Sequence, residues 1–118
     1  MSVFGIGIDL CEIKRVETSL QKHGNKFAEK ILHQNEMAIF LQKKLQARFL
    51  AKRFAAKEAY AKAFGTGIAD GVTLPCIEVY NDDRGKPELR LHGKTLTQLQ
   101  ELGNIRVHLS ISDERDTA

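Results

Sequence analysis

Hydrophobic and polar positions alternate with a period of two at both ends of the chain. Every even-numbered position of residues 3–10 is apolar, and so is every odd-numbered position of residues 105–111. Between them, apolar residues in 77–79 and 89–91 flank a segment rich in turn-forming residues at 81–87. Alternation of this kind is typical of half-buried strands, and the central pair of segments predicts a hairpin.

Helices are predicted between these strands by their start and stop residues. Asp9 and Glu12 have capping-box spacing, which predicts a helix that runs to about His23 and ends at Gly24. Asn25 and Asn35 are the N-cap candidates of two further segments. Those two segments are Lys26–Leu32 and Glu36–Gln46.

The segment Ala47–Phe64 contains no Gly, Pro or β-branched residue, and apolar side chains surround almost its whole circumference. We therefore expect a long, largely buried helix that ends at Gly65. A shorter helix is predicted at Thr95–Leu102. Together the elements indicate a single domain over residues 1–118 of the α+β class, with long N-terminal helices packed on a mainly antiparallel sheet.

The composition of the 118 residues is that of a globular domain, with 42% hydrophobic and 28% charged residues. We expect a cytoplasmic protein without a membrane span, because no apolar run approaches about 18 residues and two widely spaced cysteines make no disulfide framework. Residues 1–64 carry 12 basic and 6 acidic side chains, whereas residues 65–118 carry 6 and 9. A basic half suggests nucleic acid, a nucleotide or an acidic protein as partner. The absence of Trp weakens the RNA interpretation.

Two carboxylates and a lysine are the candidates for chemistry. Asp9 ends a strand with a glycine-lined face, and Glu58 lies with Lys62 in an apolar sector of the long helix. If the fold brings the carboxylates of Asp9 and Glu58 together, their oxygens would be suitable ligands for Mg²⁺. The neighbouring lysine would then neutralise the charge of a phosphate. The simpler alternatives stay open at this point: Asp9 as a helix N-cap, and Glu58 with Lys62 as an ordinary i,i+4 ion pair.

The same residues carry a family resemblance that spans nearly the whole chain. The segment GIGIDLCEI at 5–13 resembles the opening motif of the holo-acyl-carrier-protein synthases, which are small bacterial phosphopantetheinyl transferases. The segment RFAAKEAYAKAFGTG at 53–67 resembles their long and specific second motif, and VHLSIS at 107–112 matches a third family segment. The resemblance implies a 4′-phosphopantetheinyl transferase-like fold.

The resemblance also implies a reaction and a metal site. In the family, the 4′-phosphopantetheine of coenzyme A passes to a serine of apo acyl carrier protein, which leaves adenosine 3′,5′-bisphosphate. The metal ligands, expected to hold Mg²⁺, fall on Asp9 and Glu58. Lys62 matches the lysine that contacts phosphate. Either carboxylate, directly or through a water molecule, would take the serine proton, and the sequence does not choose between them.

Further positions follow from the resemblance alone. Contacts with coenzyme A are implied for Lys44, Arg53, Lys62, Gly65 and His108, with Lys44 and Arg53 the candidates for its 3′-phosphate. The acidic carrier protein would bind to the region of the first helix. The residues implied there are Lys14, Arg15, Lys22 and Lys26, with Phe27 as an apolar anchor. A homotrimer with active sites between subunits, acting in fatty-acid biosynthesis without nucleic acid or membrane partners, is implied as well.

Two other functions stay open beside the enzyme. One is a basic binding module without chemistry, and the other is a transferase relative that binds coenzyme A but has lost activity. The carboxylate of Glu58, in the apolar sector of the long helix, favours the enzyme, because a binding module without chemistry does not need a carboxylate there. The sequence given stops at Ala118, where the resemblance implies about one further apolar strand, so we expect an unpaired sheet edge.

Overall fold

The computed structural model describes residues 11–64, 73–101 and 109. The predicted strand at 3–10 lies outside these residues, as does most of the predicted strand at 105–111. The described elements are α1 (Ile13–His23), α2 (Asn25–Glu29), α3 (Gln34–Phe40), α4 (Gln46–Phe64), a 3-10 turn (Leu74–Cys76), β1 (Ile77–Asn81), β2 (Pro87–Leu91) and α5 (Gly93–Glu101).

The long helix α4 is the centre of the described fold, as its sequence predicts. It contacts α1, α3, the 3-10 turn and β1. Phe49, Leu50 and Ala51 are buried near its start and join one core with apolar residues of α1, α2 and α3. Packing on several sides explains why this helix needs almost no polar face.

The predicted hairpin is confirmed. Strands β1 and β2 pair antiparallel with Ile77 opposite Leu91 and Asn81 opposite Pro87. The turn closes around Asp82, whose carboxylate accepts hydrogen bonds from the backbone N–H groups of Arg84 and Lys86, both at 2.9 Å. Such side-chain bonds to nearby backbone are the reason that Asp favours turns.

The start predicted for the first helix is wrong within the described residues. The helix begins at Ile13, and its N-cap is Glu12, whose backbone is extended and whose side chain makes no capping hydrogen bond. Its end is as predicted. Gly24 has φ +62°, and its N–H bonds the carbonyl of Leu20 at 2.8 Å.

The second and third helices are shorter than predicted, and the N-cap of α3 is His33 rather than Asn35. The imidazole Nδ1 of His33 accepts the N–H of Asn35 at 3.1 Å, and the carboxylate of Glu36 accepts the N–H of His33 at 2.9 Å. This is a capping box with histidine in the place of Ser or Thr. The helix then ends at Phe40, whose carbonyl accepts the side-chain amide of Gln46 at 3.2 Å.

Candidate active site

Glu58 and Lys62 lie on successive turns of α4, one and two turns beyond Phe54. Phe54 packs partly buried against the main core, Glu58 is half-buried and Lys62 is exposed. The helix therefore presents an apolar, an acidic and a basic side chain in order along one side towards its C-terminus. Asp9, which the sequence pairs with Glu58, lies outside the described residues, so their contact stays a prediction.

A cavity of about 430 Å³ opens at the Phe54 end of this row. Its walls come from the start of α1, from α2 and from α4. Two of the predicted partner residues line it, because Arg15 and Phe27 are among its walls. Cys11 and Glu12, which also line it, follow Asp9 by two and three residues. The cavity thus adjoins the segment that carries Asp9 and the helix that carries Glu58.

The basic side chains predicted to meet the carrier protein lie on α1 and α2. Lys14, Arg15, Lys22 and Lys26 are all exposed. Phe27 is half-buried and packs against the main core, so only part of its ring is available to a partner. Arg15 also makes an exposed ion pair with Glu12 at 3.5 Å. An exposed pair of this kind adds little stability and leaves Arg15 available for binding.

The two residues predicted for the 3′-phosphate of coenzyme A differ in exposure. Lys44 is exposed in the segment between α3 and α4. Arg53 is buried, with its Nε 3.4 Å from a carboxylate oxygen of Glu36 and its guanidinium 4.7 Å from the centre of the Phe49 ring. Arg53 therefore has a structural role inside the chain. The other predicted contacts, Gly65 and His108, lie outside the described residues.

The sequence reasoning missed a buried ion pair made by Lys57, the residue that precedes Glu58 on α4. Lys57 is fully buried, and its ammonium donates to the carboxylate of Glu36 at 2.5 Å and to the carbonyl of Ile31 at 2.6 Å. The other carboxylate oxygen of Glu36 accepts the N–H of Val79 at 3.2 Å. This carboxylate thereby ties α3, α4 and β1 together.

Burial lowers the pKa of both cations in this network. For Lys57 and for Arg53 the loss of hydration is the largest effect, and the negative charge of Glu36 opposes it. The sequence did contain an indication that these charges are buried. Leu50, Arg53, Lys57 and Ala61 recur at helical spacing, and a helix without a polar face has to bury some of its charges.

A second buried carboxylate, Glu78 on β1, was also missed. Burial by itself would raise its pKa, but hydrogen bonds from His92 and Asn35 and the nearby charge of Arg90 hold the pKa below its ordinary value. An alternating strand pattern does not predict the burial of Glu78, because three successive residues of β1 are buried: Ile77, Glu78 and Val79. The strand is covered on both faces at this point.

Among the described residues, no helix combines the length and the apolar character needed to cross a membrane.

Similarity to known proteins defines the class to which this chain belongs. The family model for the 4′-phosphopantetheinyl transferase superfamily matches residues 5–111. The match covers both motifs and residues 107–111 of the third segment, and it includes Asp9 and Glu58. The chain therefore belongs to the 4′-phosphopantetheinyl transferase superfamily.

The relatives within this superfamily narrow the class. A holo-[acyl-carrier-protein] synthase of Vibrio parahaemolyticus is 53% identical over 118 residues, which are 100% of this chain and 94% of that protein. The crystal structure of the synthase from Neisseria meningitidis matches with a TM-score of 0.92 and 44% identity, covering 98% of this chain and 93% of that one. The synthase from Bacillus anthracis, solved in complex with CoA (3′,5′-ADP), has a TM-score of 0.78 and 43% identity, covering 97% and 89%.

These similarities confirm several predictions made from the sequence. The fold class, the resemblance to holo-acyl-carrier-protein synthases and the assignment to phosphopantetheinyl transferases are all confirmed. The transfer of phosphopantetheine from coenzyme A to apo acyl carrier protein agrees with the names of the relatives and with the bound nucleotide. The residues that carry out the transfer stay predictions.

Proposed function

We propose that this chain transfers the 4′-phosphopantetheine of coenzyme A to a serine of apo acyl carrier protein in an Mg²⁺-dependent reaction centred on Glu58. One observation carries the proposal. The half-buried Glu58 follows Phe54 on α4, and Phe54 lines a cavity bordered by the basic helix α1. The carboxylate thus lies one helical turn beyond a wall of the cavity, and a basic helix borders the cavity, an arrangement that suits a transfer between coenzyme A and an acidic protein.

The donor set fits the proposed metal. Asp9 and Glu58 are both carboxylates, and Mg²⁺ prefers oxygen ligands from one or two carboxylates together with waters and substrate phosphates. When bound there, Mg²⁺ would neutralise the pyrophosphate of coenzyme A and stabilise the charge that develops as its P–O bond breaks. The partial burial of Glu58 suits this role, since a half-buried carboxylate has fewer water molecules to give up.

The chain's own residues then act on the nucleophile and on the phosphates. The serine oxygen attacks the β-phosphorus, and the bond to the α-phosphate oxygen breaks, so adenosine 3′,5′-bisphosphate leaves. Glu58 or Asp9 accepts the serine proton, directly or through water. Lys62, exposed one turn beyond Glu58, reaches outward to the phosphate oxygens and pairs with their charge.

The region of α1 and α2 receives the acyl carrier protein. Lys14, Lys22 and Lys26 attract the acidic partner, and Arg15 and Phe27 meet it at the rim of the cavity. Charges at the edge of an interface mainly raise the rate of encounter, whereas a partly buried aromatic ring contributes affinity. The serine would enter through the cavity towards Glu58.

Coenzyme A, the second substrate, would contact residues that precede and follow α4. Lys44 is a better candidate for its 3′-phosphate than Arg53, because Lys44 is exposed and Arg53 is engaged with Glu36. Gly65 and His108 complete the proposed set of contacts, with Gly65 next to the end of α4. We further propose a cytoplasmic homotrimer that acts in fatty-acid biosynthesis, with residues of two subunits at each site.

The substitution Glu58→Gln tests the proposal, because it keeps the size and polarity of the side chain and removes its charge. We expect transfer to apo acyl carrier protein to fall at least ~100-fold while the circular dichroism spectrum stays that of the wild type. Glu101→Gln on α5 is the matched control, since Glu101 is exposed, and it should transfer at the wild-type rate.

Normal transfer by a folded Glu58→Gln variant would refute the proposed role of this carboxylate. The two alternative functions are distinguished by the wild-type protein in the same assay. A wild type that binds coenzyme A without transfer would be an inactive relative. A wild type that binds neither coenzyme A nor metal, but captures the acidic protein, would be a binding module.

A further inference from the structure

Two histidines and a glutamate from distant parts of the chain meet beside the hairpin. His33 precedes α3, Glu78 lies on β1 and His92 directly follows β2. Their ligand atoms, one from each residue, all lie within 4.8 Å of one another. The candidate active site uses none of the three, so the cluster needs its own explanation.

The geometry centres on one carboxylate oxygen. Oε1 of Glu78 lies 2.8 Å from Nε2 of His92 and 3.7 Å from Nδ1 of His33. The two imidazole rings are stacked, with centroids 4.2 Å apart and planes inclined by 14°. The side chain of Glu78 is only 3% exposed, whereas those of His33 and His92 are 24% and 33% exposed. The cluster therefore has a buried anion at its base and two imidazoles towards the solvent.

The three side chains form a donor set that divalent metals use. A neutral imidazole carries an in-plane lone pair and is the form that ligates metals. Two imidazole nitrogens and one carboxylate are also the protein ligands of many three-ligand zinc sites.

We propose that His33, Glu78 and His92 form a binding site for a borderline divalent metal ion of the Zn²⁺ type. Imidazole donors select Zn²⁺, Co²⁺, Ni²⁺ or Cu²⁺ over Mg²⁺, which prefers oxygen. The spacings of 2.8 to 4.8 Å bracket the roughly 3.3 Å that separates the donors of a tetrahedral site with metal–ligand distances near 2.0–2.1 Å. Small side-chain rotations would bring all three donors onto one ion.

The present contacts of the cluster change when the ion binds. The hydrogen bond between His92 and Glu78 breaks, because a nitrogen that ligates a metal ion carries no proton. The N–H of Asn35, which now donates to Nδ1 of His33, loses that acceptor if this nitrogen turns to the metal. Arg90, with its Nη1 3.5 Å from Glu78, opposes the ion by charge, but its side chain is 52% exposed, so solvent screens that charge.

A bound metal ion would cross-link elements that are distant in the sequence. His33 caps α3, Glu78 lies on β1 and His92 follows β2, so one ion would join His33 to residues 45 and 59 positions further along the chain. An ion bound only by the folded chain raises its thermal stability by mass action. This site differs from the proposed Mg²⁺ site in its donors, and its existence does not depend on phosphopantetheine transfer.

The test uses Co²⁺ as a spectroscopic probe of the intact protein in excess Mg²⁺, with Zn²⁺ titration by calorimetry beside it. His33→Asn is the first variant, because Asn is a good N-cap and keeps the start of α3. His92→Gln is the second, because its amide still donates to Glu78. His23→Gln on the exposed end of α1 is the matched control.

We expect the wild type and His23→Gln to develop the visible absorption of low-symmetry Co²⁺ and to gain thermal stability from Zn²⁺. His33→Asn and His92→Gln should each lose the band and at least ~10-fold in Zn²⁺ affinity. The proposal is overturned by a wild type that binds no Zn²⁺, by cluster variants that bind it equally well, or by an equal loss in His23→Gln. Glu58→Gln should leave this binding unchanged, so failure here and failure of the proposed transferase site are separable.

Discussion

Single side chains in this protein show where charge is tolerated inside a small core. The carboxylate of Glu36 holds a lysine, an arginine and two backbone N–H groups, and its side chain is 1% exposed. Burying an ion pair is costly unless the remaining hydrogen-bonding groups are satisfied, and here most are. Lys57 precedes Glu58 in the chain, so the pair also fixes the turn of α4 that presents the catalytic carboxylate we propose.

Substitution Lys57→Met should lower the free energy of unfolding by roughly 3–5 kcal/mol, because it leaves Glu36 buried without its main partner. Lys94→Met on the exposed surface of α5 is the control and should change it by less than about 0.5 kcal/mol. Urea denaturation followed by circular dichroism measures both. Equal midpoints for the two variants would contradict a stabilising role for the buried pair.

The sequence identified Glu58 and Lys62 as noteworthy but missed Lys57, Glu36 and Glu78. The reason is that helical spacing gives the azimuth of a residue and not the identity of what packs there. Glu36 is buried by contacts with residues 17 to 43 positions away, and no local pattern contains that information. Family resemblance supplied the expected roles of Asp9 and Glu58, but not these supporting contacts.

At the level of helices and strands, predictions succeeded where a strong stop residue was present. Gly24 ends α1, and the turn around Asp82 closes the hairpin. They failed at α3, which ends at Phe40 although the next five residues contain neither Gly nor Pro. The capping histidine and the bond from Gln46 to Phe40 decide those boundaries, and neither is a common signal.

The packing of α4 on the hairpin predicts how the stability of the fold depends on pH. Tyr60 packs against the small core of Ile77 and Leu91, and burial raises its pKa from 10.0 to about 12. Between these values the unfolded chain has lost the phenolic proton and the folded chain retains it. The folded state then binds more protons, so stability falls as the pH rises from about 10 to about 12.

Phenolate absorbance of a Tyr80→Phe variant measures this directly, since the chain has two tyrosines. We expect Tyr60 to titrate near pH 12 in the folded variant and near pH 10 in urea, with circular dichroism reporting the fold at each pH. A folded variant that titrates near pH 10 would show that Tyr60 is not buried between α4 and the hairpin.

For the molecule as a whole, charge is the property that the sequence predicts most simply. The excess of basic residues in the N-terminal half corresponds to an exposed basic region on α1 and α2. Composition alone left nucleic acid and acidic protein open as partners. Membership of the transferase superfamily favours the acidic carrier protein, but the composition could not have made that choice.

Added salt should therefore reduce kcat/KM for apo acyl carrier protein through KM, with little effect on kcat. Lys22→Glu should lower kcat/KM several-fold at low salt and weaken its salt dependence. Lys94→Glu makes the same charge change on α5 and should behave like the wild type. Equal effects of the two substitutions would mean that net charge, rather than the basic region of α1 and α2, attracts the partner.

Intact mass spectrometry of apo acyl carrier protein, incubated with this protein, coenzyme A and Mg²⁺, examines the proposed Mg²⁺-dependent transfer in one step. We predict a mass gain of one phosphopantetheine group per carrier protein, abolished by EDTA and restored by added Mg²⁺. A gain that persists in EDTA would contradict the carboxylate metal site. No gain at all, from a folded protein with Mg²⁺ present, would contradict the transferase function.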